Sequence, residues 1–162
     1  MEAGERVFIN SHMSRANHLW RLWEKIPEVL VIFQGPHTYV SPTWYDHVNV
    51  PTWNYQSVHM SGRAQIIRDP EETHGILKRL IDRYEARGSY RLETLPEAFV
   101  EKEMKGLVAF QIEVTQIEAN YKLSQNRDDA NYRSIVAHLE ARPDDLSHGV
   151  ARAMRENRPS AL

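Results

Sequence analysis

A first group of residues that could do chemistry lies near the start of the chain, in residues 11–17 (SHMSRAN). We predict that a strand hands over to a short helix here, and a helix N-terminus offers free N–H groups and a partial positive charge. Ser14 adds a hydroxyl donor, and Arg15 can grip a phosphate with two parallel hydrogen bonds. The run is therefore a candidate phosphate site. A capped helix with a solvated arginine is the alternative, and the residue types leave both open.

A second group is aromatic and lies in residues 37–59. A flat isoalloxazine ring needs apolar walls and a few polar edges, which such side chains could provide. Aromatic side chains also dominate protein cores and interfaces. The sequence does not decide between a binding site and packing for the members of this group, which are His37, Tyr39, Trp44, Tyr45, Trp53, Tyr55 and His59.

A third group is the polar run at residues 122–127 (KLSQNR). Its long and adaptable donors could line an anion or the edge of a flavin. The same residues could form a solvated loop before a helix capped by Asp128 or Asp129. Both interpretations stay open.

Several classes of site have no support in the sequence. The chain has no cysteine, which excludes disulfides and metal–thiolate sites. The eight histidines show no HExxH or comparable spacing, so we expect no metal. No GxGxxG, Walker or GxSxG motif is present, which argues against a dinucleotide fold, a P-loop and an α/β-hydrolase.

Composition indicates one globular domain over residues 1–162, with 41% hydrophobic and 26% charged residues. The formal net charge is −2, whereas a domain that binds nucleic acid by itself usually carries a basic excess. We find no signal peptide or membrane-length apolar run, so we expect a cytoplasmic protein without membrane contact.

The predicted elements do not alternate regularly between strand and helix, which favours an α+β barrel with peripheral helices. Two closing helices, about residues 129–157, carry acids beside their arginines, and Leu146, Val150 and Met154 recur at a spacing of four that predicts a buried stripe. The predicted strands are Arg6–Asn10, Val29–Phe33 (ending at Gly35 and Pro36), Thr52–Ile67 (single, or a hairpin broken near Gly62) and Leu107–Ala119. The predicted helices are Ser14–Lys25, one from the cap Asp69 to near Gly88, Pro96–Met104, Asp129–Ala141 and Asp145–Asn157.

Five sequence runs occur together in a distinctive order. They are SHMSRAN at 11–17, FQGPH at 33–37, YVSPTWY at 39–45, VPTWNY at 50–55 and KLSQNR at 122–127. In these runs the chain resembles the PaiB-type family of negative transcriptional regulators, from about residue 11 to 140. The pair WY and VPTWNY is the most specific part of the resemblance.

The resemblance implies an FMN-binding split β-barrel related to the pyridoxamine-phosphate oxidases, and a homodimer with the flavin at the subunit interface. In those oxidases a serine and basic residues at a strand-to-helix turn hold the FMN phosphate, and Ser14 and Arg15 occupy a similar place here. The cofactor-binding residues carried over in this way are Ser11, His12, Ser14, Arg15, Asn17, Trp53, Asn54, Lys122, Ser124, Gln125 and Arg127.

Two departures from the family pattern are visible. Family members usually begin with a further helix and strand before the SHMSRAN run, so we expect the family's N-terminal part to be missing from this chain. Asn120 and Tyr121 stand where the family tends to have a glycine-containing turn.

The resemblance implies negative regulation of transcription. Because the sequence shows no DNA-reading element, we expect an indirect role at DNA. The alternative is an enzyme, either a flavin-dependent oxidoreductase or a haem-degrading split-barrel protein.

Overall fold

A computed structural model of the chain describes residues 6–85 and 90–161. Within these residues, helices and strands are mixed in the order expected for an α+β protein. The strands are β1 (Val7–Ser14), β2 (Glu28–Val40), β3 (Thr52–Ile67) and β4 (Leu107–Lys122), and the helices are α1 (Leu19–Trp23), α2 (Pro70–Tyr84), α3 (Glu97–Lys105), α4 (Asp129–Glu140) and α5 (Asp145–Asn157).

The strands form one sheet in the order β1-β4-β3-β2, which leaves β1 and β2 at its edges. β1 runs antiparallel to β4, with Ser11 opposite Phe110 and Ser14 opposite Leu107. This register continues to the last residue of β1, so the strand begins one residue later and ends four residues later than the predicted Arg6–Asn10.

The edge position of β2 explains a second difference from prediction. The strand does not end at Gly35 and Pro36 but continues through them to Val40. Proline lacks the N–H that an inner strand needs, and an edge strand tolerates this loss. A central strand would be expected to end before Pro36, and the sequence around Pro36 does not show that β2 lies at the edge of the sheet.

β3 is a single strand and not a hairpin broken near Gly62. At Gly62 the chain of β3 comes so close to β4 that a Cβ atom would lie 2.5 Å from the carbonyl oxygen of Glu113. Gly62 is therefore needed because the backbones of β3 and β4 lie close together there, and it does not mark a turn.

The helices begin largely where the sequence predicts. The side chain of Asp69 accepts a hydrogen bond from the backbone N–H of Glu71 (3.1 Å), which caps α2. α2 ends at Tyr84, and the predicted stop at Gly88 lies outside the described residues. α1 is shorter than predicted and begins only at Leu19.

By its internal contacts the chain divides into two compact units, and the prediction of one domain over residues 1–162 stays a prediction. The first unit takes in the described residues of 1–31 and 60–116, and the second those of 32–59 and 117–162. In the first unit, Phe110 and Ile112 are buried, and the ring of Trp23 meets Phe110 edge-on with centroids 5.0 Å apart.

The core of the second unit lies between α4 and α5. Tyr132, Leu139, Val150 and Met154 are fully buried there, and the Tyr132 hydroxyl donates to the carbonyl oxygen of Met154 (2.6 Å). Leu146 is 47% exposed, so the predicted stripe of α5 begins only at Val150.

No helix in residues 6–85 and 90–161 is long and apolar enough to cross a membrane. The same residues contain no group of three or more histidine, aspartate or glutamate side chains that could hold a metal ion.

We predict that Gly62→Ala destabilises the protein, because the new Cβ would lie 2.5 Å from a carbonyl oxygen and 2.7 Å from Ile112 Cγ2. Overpacking of this kind costs about 1–3 kcal/mol. Gly75→Ala is the matched control: within α2 its Cβ would meet only the end of the Arg79 side chain, at 3.4 Å. It should stabilise by about 0.5–1 kcal/mol through helix propensity. Urea unfolding followed by circular dichroism measures both, and a neutral Gly62→Ala would contradict the close approach.

Candidate functional site

The turn after β1 is organised around Arg15, which binds three successive carbonyl groups. Its Nε donates to the carbonyl oxygen of Lys105 (2.8 Å), its Nη2 to that of Leu107 (2.8 Å), and its backbone N–H to that of Gly106 (2.9 Å). Lys105 is the last residue of α3, and a helix end leaves its carbonyl groups without intrahelical partners. Arg15 satisfies the carbonyl group of Lys105 and places a positive charge at the negative end of the helix dipole. We call this arrangement the Arg15 clamp.

The Arg15 clamp leaves part of the guanidinium available. A guanidinium has five N–H donors, and in the described part of the chain Nη1 makes no hydrogen bond. The Ser14 hydroxyl oxygen accepts from the backbone N–H of Ala16 (3.3 Å), so its own hydrogen stays free to donate. This donor set fits a phosphate group.

The helix predicted over Ser14–Lys25 does not begin at Ser14, so its N-terminus does not lie at this phosphate site. Because Ser14 still pairs with Leu107 in the sheet, its backbone is extended, and α1 begins only at Leu19. Asn17 accepts a hydrogen bond from the N–H of Leu19 (2.9 Å), the first residue of α1. Ser11 is half-buried in β1, and His12 is exposed.

A cavity of about 860 Å³ opens beside the Arg15 clamp, within the first unit. Its volume lies in the range of about 300–1,000 Å³ typical of ligand pockets. Its apolar walls include Trp20, Ile66, Val100, Met104 and Val108, its cations are Arg15, Arg68 and Lys105, and its carboxylates are Glu71, Glu93, Glu97 and Glu101. We call it the α3 cavity. The sequence holds no local signal for it, because its walls come from segments far apart in the chain.

In the second unit, an exposed aromatic cluster surrounds Trp53. The ring centroids of His37 and Tyr39 lie 6.1 and 6.3 Å from that of Trp53. Trp53 is 53% exposed, so it does not serve as core packing. Such a surface suits a flat ligand or a partner chain.

Asn54 and Ser124 are buried and bind each other. The Asn54 amide donates to the Ser124 hydroxyl (2.9 Å), and that hydroxyl donates back to the Asn54 carbonyl oxygen (3.1 Å). Ser124 has a φ of 59°, in the left-handed region that residues other than glycine rarely adopt. The pair therefore ties β3 to a strained turn after β4 and keeps both side chains occupied within the chain.

Among the other polar residues of the 122–127 run, Gln125 stabilises the loop, whereas Lys122 and Arg127 are at least partly exposed to solvent. Gln125 accepts from the backbone N–H of Leu123 (2.8 Å) and donates to the carbonyl oxygen of Tyr121 (2.6 Å). Lys122 is exposed, and its ammonium group donates to the hydroxyl of Thr52. Gln125 thus shapes the turn that presents Lys122 and Arg127.

Arg127 lies over the ring of Tyr45, with its Cζ 4.9 Å from the ring centroid. Tyr45 is 9% exposed, and its hydroxyl is the one buried side-chain polar atom in residues 6–85 and 90–161 without a hydrogen-bond partner. Leaving such a group unpaired costs about 1–3 kcal/mol. Tyr45 is therefore a functional candidate that sequence reasoning treated only as an aromatic residue, although it stands within the YVSPTWY run.

The loop that follows Tyr45 is fastened by two carboxylates. The Asn131 amide donates to Asp46 (2.9 Å) and to Asp128 (2.7 Å). The Asn131 side chain, then His47, lowers the pKa of Asp46; the backbone N–H of Asn131, then its side chain, lowers the pKa of Asp128. Because both pKa values are lowered by folding, this fastening is fully present above the usual carboxyl pKa and is lost as the pH falls through the lowered values.

The structure brings the predicted site residues together in two groups, and their contacts with a cofactor stay predictions. The first unit holds Ser11, His12, Ser14, Arg15 and Asn17, and the second unit holds Trp53, Asn54, Lys122, Ser124, Gln125 and Arg127.

Sequence comparison finds clear relatives. The sequence model of the family described as "Putative FMN-binding domain" matches residues 1–116. The chain is 37% identical over 154 residues to the Protease synthase and sporulation protein PAI 2 of Bacillus subtilis (strain 168). That match covers 94% of this chain and 74% of the relative.

Two solved structures share the fold. The flavocytochrome Anf3 of Azotobacter vinelandii has a TM-score of 0.51 at 20% identity and covers 75% of this chain. A "putative 5-nitroimidazole antibiotic resistance protein" of Bacteroides thetaiotaomicron has a TM-score of 0.50 at 17% identity and covers 71%. The chain spans 52% and 61% of these two structures. The predicted fold class, an α+β split β-barrel with peripheral helices, is confirmed.

We predict that Asn54→Ala and Ser124→Ala each lower the free energy of unfolding by about 1–3 kcal/mol, since each leaves a buried polar group unpaired. The double variant should lose less than the sum, because both substitutions remove the same pair of bonds. Asn126→Ala, at an exposed position of the same loop, serves as the control and should change stability by less than about 0.5 kcal/mol. Denaturant unfolding of the four variants tests this, and additive losses would show that the two side chains act independently.

Proposed function

This chain belongs to the family described as "Putative FMN-binding domain", and we propose that it binds FMN and acts as a PaiB-like negative regulator of transcription. The single observation that carries the cofactor assignment within this family is the Arg15 clamp. It holds one edge of a guanidinium on carbonyl groups and leaves Nη1 free beside a ligand-sized cavity.

We propose that the FMN phosphate binds at the Arg15 clamp. Arg15 is held in place before the ligand arrives, so little side-chain entropy is lost on binding. Ser14 contributes a free hydroxyl hydrogen, and the Lys105 ammonium, which lines the same cavity, adds a second positive charge. The Arg15 clamp offers donors for a single phosphate, and the sequence has no dinucleotide-binding motif. Both observations favour FMN over FAD or NAD.

A bound FMN would supply one- and two-electron redox chemistry. The residues of this chain would bind and orient the FMN. Lys122 and Arg127 of the second unit keep donors available for an anion, and Trp53 offers a flat apolar face. Ser11, His12 and Asn17 belong to the strand and turn that carry the Arg15 clamp, and Asn54, Ser124 and Gln125 hold the loop that presents Lys122 and Arg127.

An indirect role at DNA is supported by the use of the arginines on α4 and α5. A protein that binds DNA by itself neutralises phosphates with free arginine and lysine side chains. Most arginines in and beside this helix pair are engaged within the second unit. Arg155 pairs with Glu140 in bidentate fashion (2.7 and 2.9 Å), Arg158 with Asp129, and Arg142 with Asp144 (3.6 Å), while Arg133 donates to the carbonyl oxygen of Ala161 (2.8 Å).

We also propose a homodimer. In the second unit the edge strand β2 exposes Ile32 and Phe33, and Val48, Val50 and Trp53 are exposed nearby in the chain. An edge strand with apolar side chains is prone to pair with another chain, and aromatic residues are enriched at interfaces. The exposed aromatic cluster is suited to contact a second copy of the chain.

We predict that Arg15→Ala weakens FMN binding. Loss of a charge-assisted contact costs about 1.5–3 kcal/mol, which raises the dissociation constant by about one to two decades. Arg21→Ala is the control, since Arg21 is an exposed arginine stacked on Trp20 and should leave the constant unchanged. Calorimetric titration with FMN and FAD measures these effects.

Arg15→Ala also removes the two side-chain bonds of the Arg15 clamp, so urea unfolding of each variant accompanies the titration. Ser14→Ala, which leaves the Arg15 clamp intact, should weaken FMN binding in a stable protein. Unchanged FMN binding by folded Arg15→Ala and Ser14→Ala would contradict the assignment and move the phosphate to Lys122 or Arg127. Tighter binding of FAD than FMN would contradict the choice of cofactor.

We predict a dimer at micromolar concentration, measured by sedimentation equilibrium. Phe33→Lys on β2 should shift the equilibrium toward monomer because it places a charge on the exposed edge. Phe99→Lys is the control, since Phe99 of α3 is 49% exposed against 48% for Phe33, and it should leave the equilibrium unchanged. A monomeric unsubstituted chain would refute the dimer.

We predict that the purified protein alone binds duplex DNA only weakly, because its net charge is −2 and most of the arginines in and beside its closing helices are engaged internally. Fluorescence anisotropy with the promoter of a regulated gene at physiological salt measures this, with a scrambled duplex as the control. Nanomolar, sequence-selective binding by the flavin-loaded protein would restore a direct repressor.

A further inference from the structure

We propose that Arg158, the residue that follows α5, is a positioning residue that holds Arg127 in place for its ligand. Both arginines belong to the second unit, and both lie beyond residues 1–116, the part of the chain that the family model matches. The proposal gives the closing helix pair a role in ligand binding. It rests on the proposed function in taking FMN as the ligand of Arg127, and a measurement without FMN tests it separately.

Arg158 joins the end of α5 to the end of the 122–127 loop and the start of α4. Its Nη1 donates to the carbonyl oxygen of Arg127 (2.5 Å). Its Nη2 donates to the carboxylate of Asp129, the first residue of α4. A guanidinium is planar and presents its donors in a rigid fork. The Arg158 side chain therefore fixes the carbonyl group of Arg127 relative to α4.

The core of the second unit in turn holds Arg158. The Arg158 Cζ lies 5.2 Å from the ring centroid of Tyr132, a residue that is fully buried between α4 and α5. The Tyr132 hydroxyl and the backbone N–H of Arg158 both donate to the carbonyl oxygen of Met154, at 2.6 and 3.1 Å. Since its main chain and its side chain are both attached to the core, Arg158 can serve as a fixed support.

The 122–127 loop is attached to different elements along its length. Its middle is attached to β3, because the Ser124 side chain is hydrogen-bonded to Asn54. Its end is attached to α5, because the Arg127 carbonyl group accepts from Arg158. The backbone N–H of Arg127 donates to the carbonyl oxygen of Ser124 (3.0 Å) and closes the turn between these two attachments. Loss of the Arg158 bond would therefore free the end of the loop while its middle stays in place.

The side chain of Arg127 has few bonds of its own, so its position depends on its backbone. Its guanidinium lies on the Tyr45 ring, with Cζ 4.9 Å from the centroid, and its Nη2 reaches Asn49 Oδ1 only at 3.5 Å. Within residues 6–85 and 90–161, its Nε and Nη1 make no hydrogen bond. These free donors can contact a ligand only over the narrow distance range of a hydrogen bond. A shift of the Arg127 backbone would therefore weaken that contact.

Hydrogen exchange of the Arg127 backbone amide, measured by NMR without any ligand, tests the support directly. We expect Arg158→Ala to speed this exchange about tenfold, because local opening of the turn becomes easier. Arg155→Ala is the matched control. It removes a bidentate ion pair from the same helix, but within the described residues the Arg155 side chain bonds to Glu140 and not to the loop. Equal exchange rates in the two variants would overturn the proposal.

Calorimetric titration with FMN separates positioning from a general loss of structure. Arg158→Ala should raise the dissociation constant about threefold or more. It should cause no further loss in the Arg127→Ala background, where no side chain remains to be positioned, but the full loss in the Arg15→Ala background. A structural effect of Arg158 on the whole chain would add in both backgrounds, and that result would overturn the proposal.

Two further variants complete the test. Asp129→Asn removes the ion pair but keeps an acceptor for Arg158, so exchange and affinity should stay unchanged. Losses as large as those of Arg158→Ala would assign the effect to the ion pair and overturn the proposal. If circular dichroism shows that Arg158→Ala does not fold, Arg158→Lys replaces it with the same readouts, since one ammonium group cannot reproduce the guanidinium fork. If the unsubstituted chain binds no FMN, the proposed function fails, and the exchange rates alone decide whether Arg158 positions Arg127.

Discussion

The binding of three successive carbonyl groups by Arg15 is the constraint on which the candidate site depends. It joins the end of β1 to the end of α3 and the start of β4, segments about ninety residues apart in the chain. It also fixes the guanidinium at the edge of the α3 cavity. One residue therefore closes a helix, holds a strand end and presents a positive charge, so its structural role and its proposed role toward a phosphate are compatible.

In the second unit, too, some polar residues stabilise the local structure and others keep hydrogen-bond donors available for a ligand. The turn after β4, with its left-handed backbone at Ser124, is stabilised by hydrogen bonds of Asn54, Ser124 and Gln125. Lys122 and Arg127 keep much of their donor capacity for other partners. A polar sequence run can thus look uniformly suited to ligand binding when only some of its members face outward.

Patterns that depend on neighbouring residues were predicted well from the sequence. The aspartate caps of α2 and α4 are local, and the structure confirms them, with Asp69 capping α2 and Asp128 capping α4. Features set by tertiary position were not predictable. Pro36 lies inside a strand because β2 is an edge, the extended backbone of Ser14 depends on pairing with Leu107, and the partners of Arg15 lie far along the chain.

The central claim is that this chain recognises a flavin through its phosphate. The most direct measurement compares FMN with riboflavin, which carries the same ring without the phosphate, by calorimetric titration of the protein stripped of any bound flavin. The account predicts that FMN binds at least about tenfold more tightly, a difference of about 1.4 kcal/mol, and that Arg15→Ala removes most of that difference. Equal affinity for FMN and riboflavin would contradict it.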